Sequence, residues 1–316
     1  MIFRKELLWH LHFKGTKKNP ILKPIIEHDW EALVVFNTAA VNINGTVHLV
    51  YRARGCKGGI SRCGYASSKD GFIIDERLDK PIFGVSPDSD VDCFGVEDPR
   101  IAIIGDRLYM TYSAYGMIPG MDRKIKWVQI AISSISVDDF LNKRWNWSER
   151  IYPFPFTDNK DAAMFPEKIK GKYVLMHRIP QHIWIGFSED LKEFRDNTIV
   201  MYPQGHGWEK WKIGGGATPI KTEKGWLIVY HAVDNKMCYR LGIAFLDLED
   251  PTKVVYRHPE PVLEPGEEYE KIGDVSNVTF TCGCVEKDGR LLVYYGAADT
   301  VIGVAYADMK DVLGLF

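Results

Sequence analysis

Residues 95–101 read GVEDPRI, which sets two adjacent carboxylates, Glu97 and Asp98, and the guanidinium of Arg100 at the head of an apolar run, Ile101 to Ile104. Unpaired charge in a buried strand is costly, so these residues need either a local ion pair or a solvated cavity. A carboxyl beside a second carboxylate is a candidate general acid, because the neighbour's charge raises its pKa. Glu97 would do this for Asp98. Arg100 alternates onto the same strand face as Asp98 and would equally hold it ionised. An Asp98–Arg100 ion pair, with Asp98 starting a turn at Pro99, is therefore the competing structural reading.

Basic side chains recur at comparable places further along. Arg52 and Arg54 end YRARG, Lys160 precedes Asp161, His177 and Arg178 end VLMHR, and His231 ends LIVYH. Converging on one spot, such groups would bind an oxyanion, with arginine offering a bidentate fork. Taken one at a time, each reads as a solvated surface charge. Gly214 to Gly216 is not a phosphate-binding Walker loop, since no Gly-Lys-Ser/Thr follows. Close backbone approach or a bulge is the expected role. Cys282 and Cys284 form a C-x-C without a second pair at zinc spacing, so no metal site is expected. The six cysteines read as free thiols serving as small buried hydrophobes.

The elements that would bring these groups together form a repeat. A glycine turn, a β-rich run and a second β-rich run occur five times: GTVHLVYRA with CGYASSKDGF, GDRLYMTYSAY with WVQIAISSISVDDF, GKYVLMHRI with IWIGFSEDLKEF, GWLIVYHAV with RLGIAFLDLEDP, and GRLLVYYGAAD with VIGVAYADMKDV. The turns fall at Gly45, Gly105, Gly171, Gly225 and Gly289, and each is preceded by a short β-like run (FNTAAV, EDPRIAII, AMFPEKI, GGATPI, NVTFTCGCV). WEALVVF is ambiguous between helix and strand. Three or four antiparallel strands repeated five times describe an all-β, five-bladed β-propeller, read as a single domain over 1–316; a β-sandwich is the alternative. In a propeller the first strand of each blade lines the central channel. Asn37, Glu97 and Asp98, Lys160 and Asp161, Lys212 with the glycine run, and Ser276 with Asn277 would then meet at one mouth. Such a mixed polar funnel, in a chain that is 12% aromatic, suits a polyhydroxylated ligand, and glycosidic cleavage needs an acid of the kind Asp98 would supply.

Composition narrows the partners. The chain has 316 residues, is 46% hydrophobic and 26% charged, and carries a net charge of −2, which gives no reason to expect nucleic acid or an anionic membrane. Nothing approaches eighteen consecutive apolar residues. The opening MIFRKELLWHLHFKG is interrupted by His10 and His12 and lacks a cleavage motif, so a cytoplasmic location is expected. A homo-oligomer is left open.

Taken in order, FNTAAV, LVYRA, GVEDPRI, NKDAAMFPEKIKGKYVLMHR, WKIGGGATPIKTEKGWLIVYHAV, YRLGIAFLDLEDP and YYGAADTVIGVAYA resemble glycoside hydrolase family 130, the β-mannoside phosphorylases and relatives, from about Trp30 to Ala307. The resemblance implies a five-bladed propeller that cleaves β-mannosides with inorganic phosphate, inverting to α-mannose 1-phosphate, without metal or organic cofactor. Phosphate is then a co-substrate beside a mannose-containing oligosaccharide. Asp98 falls on the family's general acid, which passes its proton through the mannose 3-hydroxyl. Arg52, Lys160 and His231 match phosphate-binding positions, and Tyr239 borders them. Asn37 and Asp299 match sugar-holding residues, and Glu97, Arg100 and Asp161 beside them are placed with the substrate-binding set. The segment GMIPGMDRKIKWVQIA departs from the family spacing, leaving Arg123 or Arg178 or neither to complete the phosphate site. FNTAA and ISRCGYASSKDG resemble the β-1,2 enzymes more than the β-1,4 enzymes. A hydrolase on the same scaffold and a non-catalytic glycan-binding propeller are the alternatives.

Overall fold

The computed structural model describes residues 11–86, 89–118 and 126–315. Five antiparallel sheets follow one another around an axis, one per repeat. A short strand β1 (Lys14–Gly15) comes first. Blade one is β2 (Val34–Ile43), β3 (Thr46–Arg54), β4 (Arg62–Ser68) and β5 (Glu76–Arg77), and blade two is β6 (Gly95–Ile104), β7 (Arg107–Met117) and β8 (Lys126–Ser136). Blade three is β9 (Lys160–Met164), β10 (Tyr173–Ile179), β11 (His182–Ser188) and β12 (Arg195–Met201). Blade four is β13 (Lys212–Gly215), the added β14 (Ile220–Thr222), β15 (Gly225–Val233), β16 (Tyr239–Leu246) and β17 (Val254–Arg257). Blade five is β18 (Thr279–Lys287), β19 (Arg290–Ala297) and β20 (Val301–Asp308), and β1 supplies its outer strand by pairing Lys14 with Tyr306. Asn19 extends this closure, its side-chain amide bonding both the N–H and the C=O of Val304 at 2.9 Å.

The chain is therefore the expected propeller, and the five glycine turns are where the repeat put them. All five glycines have positive φ, from 64° at Gly105 to 132° at Gly225, which other residues adopt only with strain. WEALVVF resolves into a turn up to Leu33 and a strand from Val34. The middle strands are apolar on both faces because each blade is sandwiched between two others. Leu49 packs toward blade five and Val50 toward blade two; Leu175 faces blade two and Met176 faces blade four. One apolar cluster fills each of the five gaps between blades. Runs such as HLVY and LLVYY are thus explained by burial on two sides rather than one.

A polar cluster recurs at the waist of each blade. In blade one Tyr51 donates to Glu31 at 2.8 Å and accepts from Arg77 Nε at 3.0 Å, while Arg77 pairs with the same carboxylate at 2.5 Å. Blade four repeats this with Tyr230, Glu209 and Arg257; blade two uses Tyr112 and Arg150 around Asp92. Blade five keeps the Tyr295–Glu270 bond at 2.6 Å. Blade three has an uncharged version, in which His177 sits between Asn159 and Asn197. The rings lie over glycines of the next strand: a Cβ on Gly64, Gly242 or Gly303 would come within 2.4–2.6 Å of a tyrosine ring carbon. Each residue after the Tyr or His turns to the opposite face by strand alternation.

Among the described residues no helix is long and apolar enough to cross a membrane, and no three His, Cys, Asp or Glu side chains form a metal-sized group. Cys63, Cys282 and Cys284 are buried as expected, but Cys56 is exposed.

Candidate active site

Three inner strands break regularity at the same place. Asn37 (φ 47°), Asp98 (φ 51°) and Asp161 (φ 56°) are left-handed, and each sits where its blade's pairing register shifts. Asn and Asp are the non-glycine residues that tolerate this conformation best. The residue types that permit the bulge are thus also the ones that carry polar chemistry to the axis. Pro99, which has no N–H to offer a ladder, follows naturally at such a bulge.

The bulges open into a cavity of about 170 Å³ lined by Asn37, Arg52, Glu97, Asp98, Lys160, Asp161, Arg178, Lys212, Tyr239, Val275, Val278, Phe280 and Asp299. Blades one, two and five contribute the acidic side. Asp98 Oδ1 accepts from Asn37 Nδ2 at 2.8 Å and from Arg52 Nη1 at 3.0 Å; the other terminal nitrogen of Arg52 pairs with Glu97, and its Nε donates to Ser61 at 3.1 Å. Burial pushes the Asp98 carboxyl up, but Arg52, Arg100 and the Asn37 hydrogen bond outweigh it and hold Asp98 below the usual carboxylate range. Glu97 and Asp299 go the other way. Burial raises both, Asp98 adds to the effect, Arg52 opposes it, and Asp299 reaches about 7. One guanidinium is paired with Glu97 and Asp98 and acts on Asp299 only through its charge, so Asp299 is the carboxyl of the three most ready to hold a proton near neutrality.

Blades three and four contribute the basic side. Arg178 Nη1 lies 3.0 Å from Asp161 Oδ2, and Lys160, Lys212 and Tyr239 complete the wall. Burial raises Asp161, but Arg178, His231, Arg100 and Lys160 pull it far below its ordinary value. Tyr239 is a neutral phenol, pushed up to about 12 chiefly by burial.

Arg100, His231, Ser276 and Asn277, all expected at the site, do not line the cavity. Arg100 is fully buried beneath it, donating to the carbonyls of Asp98, Gly215 and Gly216 at 2.9–3.2 Å and to Asp161 at 3.3 Å. The Asp98–Arg100 side-chain pair is absent, because the register shift between Glu97 and Arg100 breaks the alternation that would have put both on one face. His231 is fully buried behind the cavity, its ring 4.5 Å from that of Phe280 and 6.2 Å from that of Tyr239. Burial takes its pKa down to about 3, so it presents a neutral ring, with Nε2 3.6 Å from Asp161. Ser276 and Asn277 stay on an exposed loop, and Val275, Val278 and Phe280 line the cavity from that blade instead. Arg123 lies outside the described residues. Lys212 belongs to the basic wall although its spacing pointed only to the channel mouth.

The glycoside hydrolase family 130 model, described as beta-1,4-mannooligosaccharide phosphorylase, matches residues 14–316. The chain belongs to glycoside hydrolase family 130. Among curated proteins it is 45% identical to a 1,2-beta-oligomannan phosphorylase of Thermoanaerobacter sp. (strain X514), over 96% of this chain and 99% of that one. A beta-1,2-mannobiose phosphorylase from the same organism is also 45% identical, covering 93% and 96%. The solved beta-1,2-mannobiose phosphorylase of Listeria innocua, in complex with beta-1,2-mannobiose, superposes with a TM-score of 0.80 at 28% identity, over 96% of this chain and 98% of that one.

Proposed function

We propose that this family 130 chain is a cytoplasmic, inverting β-mannoside phosphorylase that needs inorganic phosphate and no metal or organic cofactor. Asp98 supplies the proton, by way of the mannose 3-hydroxyl, to the glycosidic oxygen. As the C1–O bond breaks, a phosphate oxygen attacks C1 from the opposite face, giving α-mannose 1-phosphate and the shortened sugar. The observation that carries the reading is the composition of the basic wall. Its one carboxylate, Asp161, is tied to Arg178 and Arg100, which hold its pKa far below the ordinary value and leave it too weak a base to activate water, while Lys160 and Arg178 suit an anionic nucleophile. Asp98, ionised in the free cavity, becomes an acid when sugar hydroxyls displace Asn37 and Arg52 from it and it takes up a proton. Asn37, Glu97 and Asp299 hold the mannose, and Tyr239 borders the phosphate. The 45% identity to two enzymes named for β-1,2 linkages favours β-1,2-mannosides over the β-1,4 substrate in the family model's description. Thiols kept buried at Cys63, Cys282 and Cys284 fit a reducing compartment.

The test is incubation with β-1,2- and β-1,4-mannobiose, with and without phosphate, followed by assay of mannose 1-phosphate and free mannose. Phosphate-dependent mannose 1-phosphate from the β-1,2 substrate is expected. Free mannose formed without phosphate would make the protein a hydrolase, and binding without turnover of either sugar would make it a lectin-like module.

A further inference from the structure

The axial cavity, at about 170 Å³, falls below the roughly 300–1,000 Å³ of pockets that enclose a whole small ligand. It has room for the transferred sugar ring and a small anion, but not for the leaving sugars as well. Those sugars must lie on the rim, and the side chains they meet there decide what length of substrate is favoured.

One rim side chain is out of keeping with the rest of the molecule. Trp211 is 41% exposed, whereas every other described tryptophan is buried or half-buried; Trp30 and Trp208, for instance, stack on Tyr51 and Tyr230 inside their blades. Trp211 immediately precedes β13, and the ammonium of the cavity-lining Lys212 sits 4.6 Å from its ring centroid and 5.1 Å from that of Tyr239, another lining residue. The indole is therefore a short step outside the cavity, within reach of the next sugars of a chain. Its backbone is fixed, the N–H donating to the Val233 carbonyl at 3.0 Å. Because Lys212 pairs with Val233, Trp211 stands level with the 234–238 hairpin, where Met237 is 44% exposed. That hairpin is held as well: Asp234 Oδ1 accepts from the N–H groups of Lys236 and Cys238 at 2.8 and 3.1 Å. On the blade-five side of the mouth the exposed Val275 is aliphatic and presents no ring face. A fixed aromatic ring left open to water, beside a cavity of one sugar's size, has the chemistry to stack on the C–H face of a pyranose.

We infer that Trp211 is a specificity-determining residue, a platform for the second sugar of the leaving group, and that this chain favours manno-oligosaccharides of three or more residues over mannobiose. This rests on the phosphorolytic reading and adds to it a preference for length, which the cavity alone does not supply.

With phosphate present, kcat/KM is measured on the disaccharide and trisaccharide of the β-1,2 and β-1,4 series for the wild type, Trp211→Ala and Trp211→Phe. In the series that is cleaved, the wild type should favour the trisaccharide about three- to tenfold, which is what one aromatic contact contributes. Trp211→Ala should remove that preference, chiefly through the trisaccharide KM, and Trp211→Phe should keep part of it. Without phosphate, the trisaccharide and not the disaccharide should shield the wild-type Trp211 ring from N-bromosuccinimide, read by peptide mass spectrometry; should the alanine variant misfold, this protection decides. A wild type indifferent to length, a preference that survives Trp211→Ala, equal losses at both lengths, or equal protection by both sugars overturns the platform and leaves phosphorolysis standing. Cleavage by the wild type without phosphate overturns phosphorolysis itself.

Discussion

The waist of blade four and the axial cavity hold nearly the same chemical groups in opposite states of completion. At the waist, Glu209 and Tyr230 are buried with the half-buried Arg257 against them, and each acidic oxygen has its donor inside the cluster. Around the axis, Asp98 and Asp161 are likewise met by arginines, but Lys160 and Lys212 have no carboxylate within ion-pair distance among the described residues and Asp299 keeps a raised pKa of about 7. A closed network rigidifies a blade and has no capacity left for a ligand. An open one carries a standing cost that a ligand of the right charge relieves. Buried charge alone therefore does not mark a site; charge left over after internal pairing does.

Three substitutions or titrations would break or sharpen that contrast. The largest effect is expected for Asp98→Asn, which should lower kcat for phosphorolysis by about 10²- to 10⁴-fold with little loss of stability. Steady-state assay beside thermal melting measures both, and a large drop in melting temperature with normal turnover would place Asp98 with the structural clusters. Next comes Glu209→Ala, which strands Arg257 and the Tyr230 hydroxyl and should destabilise the fold by about 3–5 kcal/mol in urea unfolding while leaving the KM values of the folded fraction unchanged. A shift in phosphate KM instead would mean that the waist communicates with the cavity.

The smallest effect concerns blade three, where the waist is neutral. Burial lowers the His177 pKa to about 4, so the unfolded chain takes up this proton first as the pH falls. Stability from His177 is complete above about pH 6.5 and is lost on acidification toward pH 4, amounting to about 3 kcal/mol. His177→Gln should flatten that slope in unfolding measured across the range. An unchanged slope would assign the acid sensitivity elsewhere.

The sequence made some of this legible and hid the rest for physical reasons. Glycine turns and two-faced apolar runs are local, so the five blades could be counted directly. Asn37, Asp98, Arg52, Lys160 and Arg178 could be placed because they occupy equivalent positions in repeats. The waist clusters were invisible, since Glu31, Tyr51 and Arg77 come from separate parts of a blade and meet only when it folds. One signal was available: the dipeptides Tyr51-Arg52, Tyr112-Ser113, His177-Arg178, Tyr230-His231 and Tyr295-Gly296 pair a waist residue with the one behind or beside the axis. The fate of Arg100 was misjudged because alternation was carried through a bulge, and that of His231 because exposure cannot be read from residue type.

The strand β1, seated beside β20, makes the ring a clasp fastened by residues from opposite ends of the chain. Sequence-distant pairing of this kind is slow to form, and during synthesis it must wait until the last blade has emerged. The cavity is subject to the same delay, because Asp299 of blade five and Arg52 of blade one border it only after the circle is joined. Onset of turnover during refolding would therefore serve as a clock for ring closure, later than any signal from a single blade.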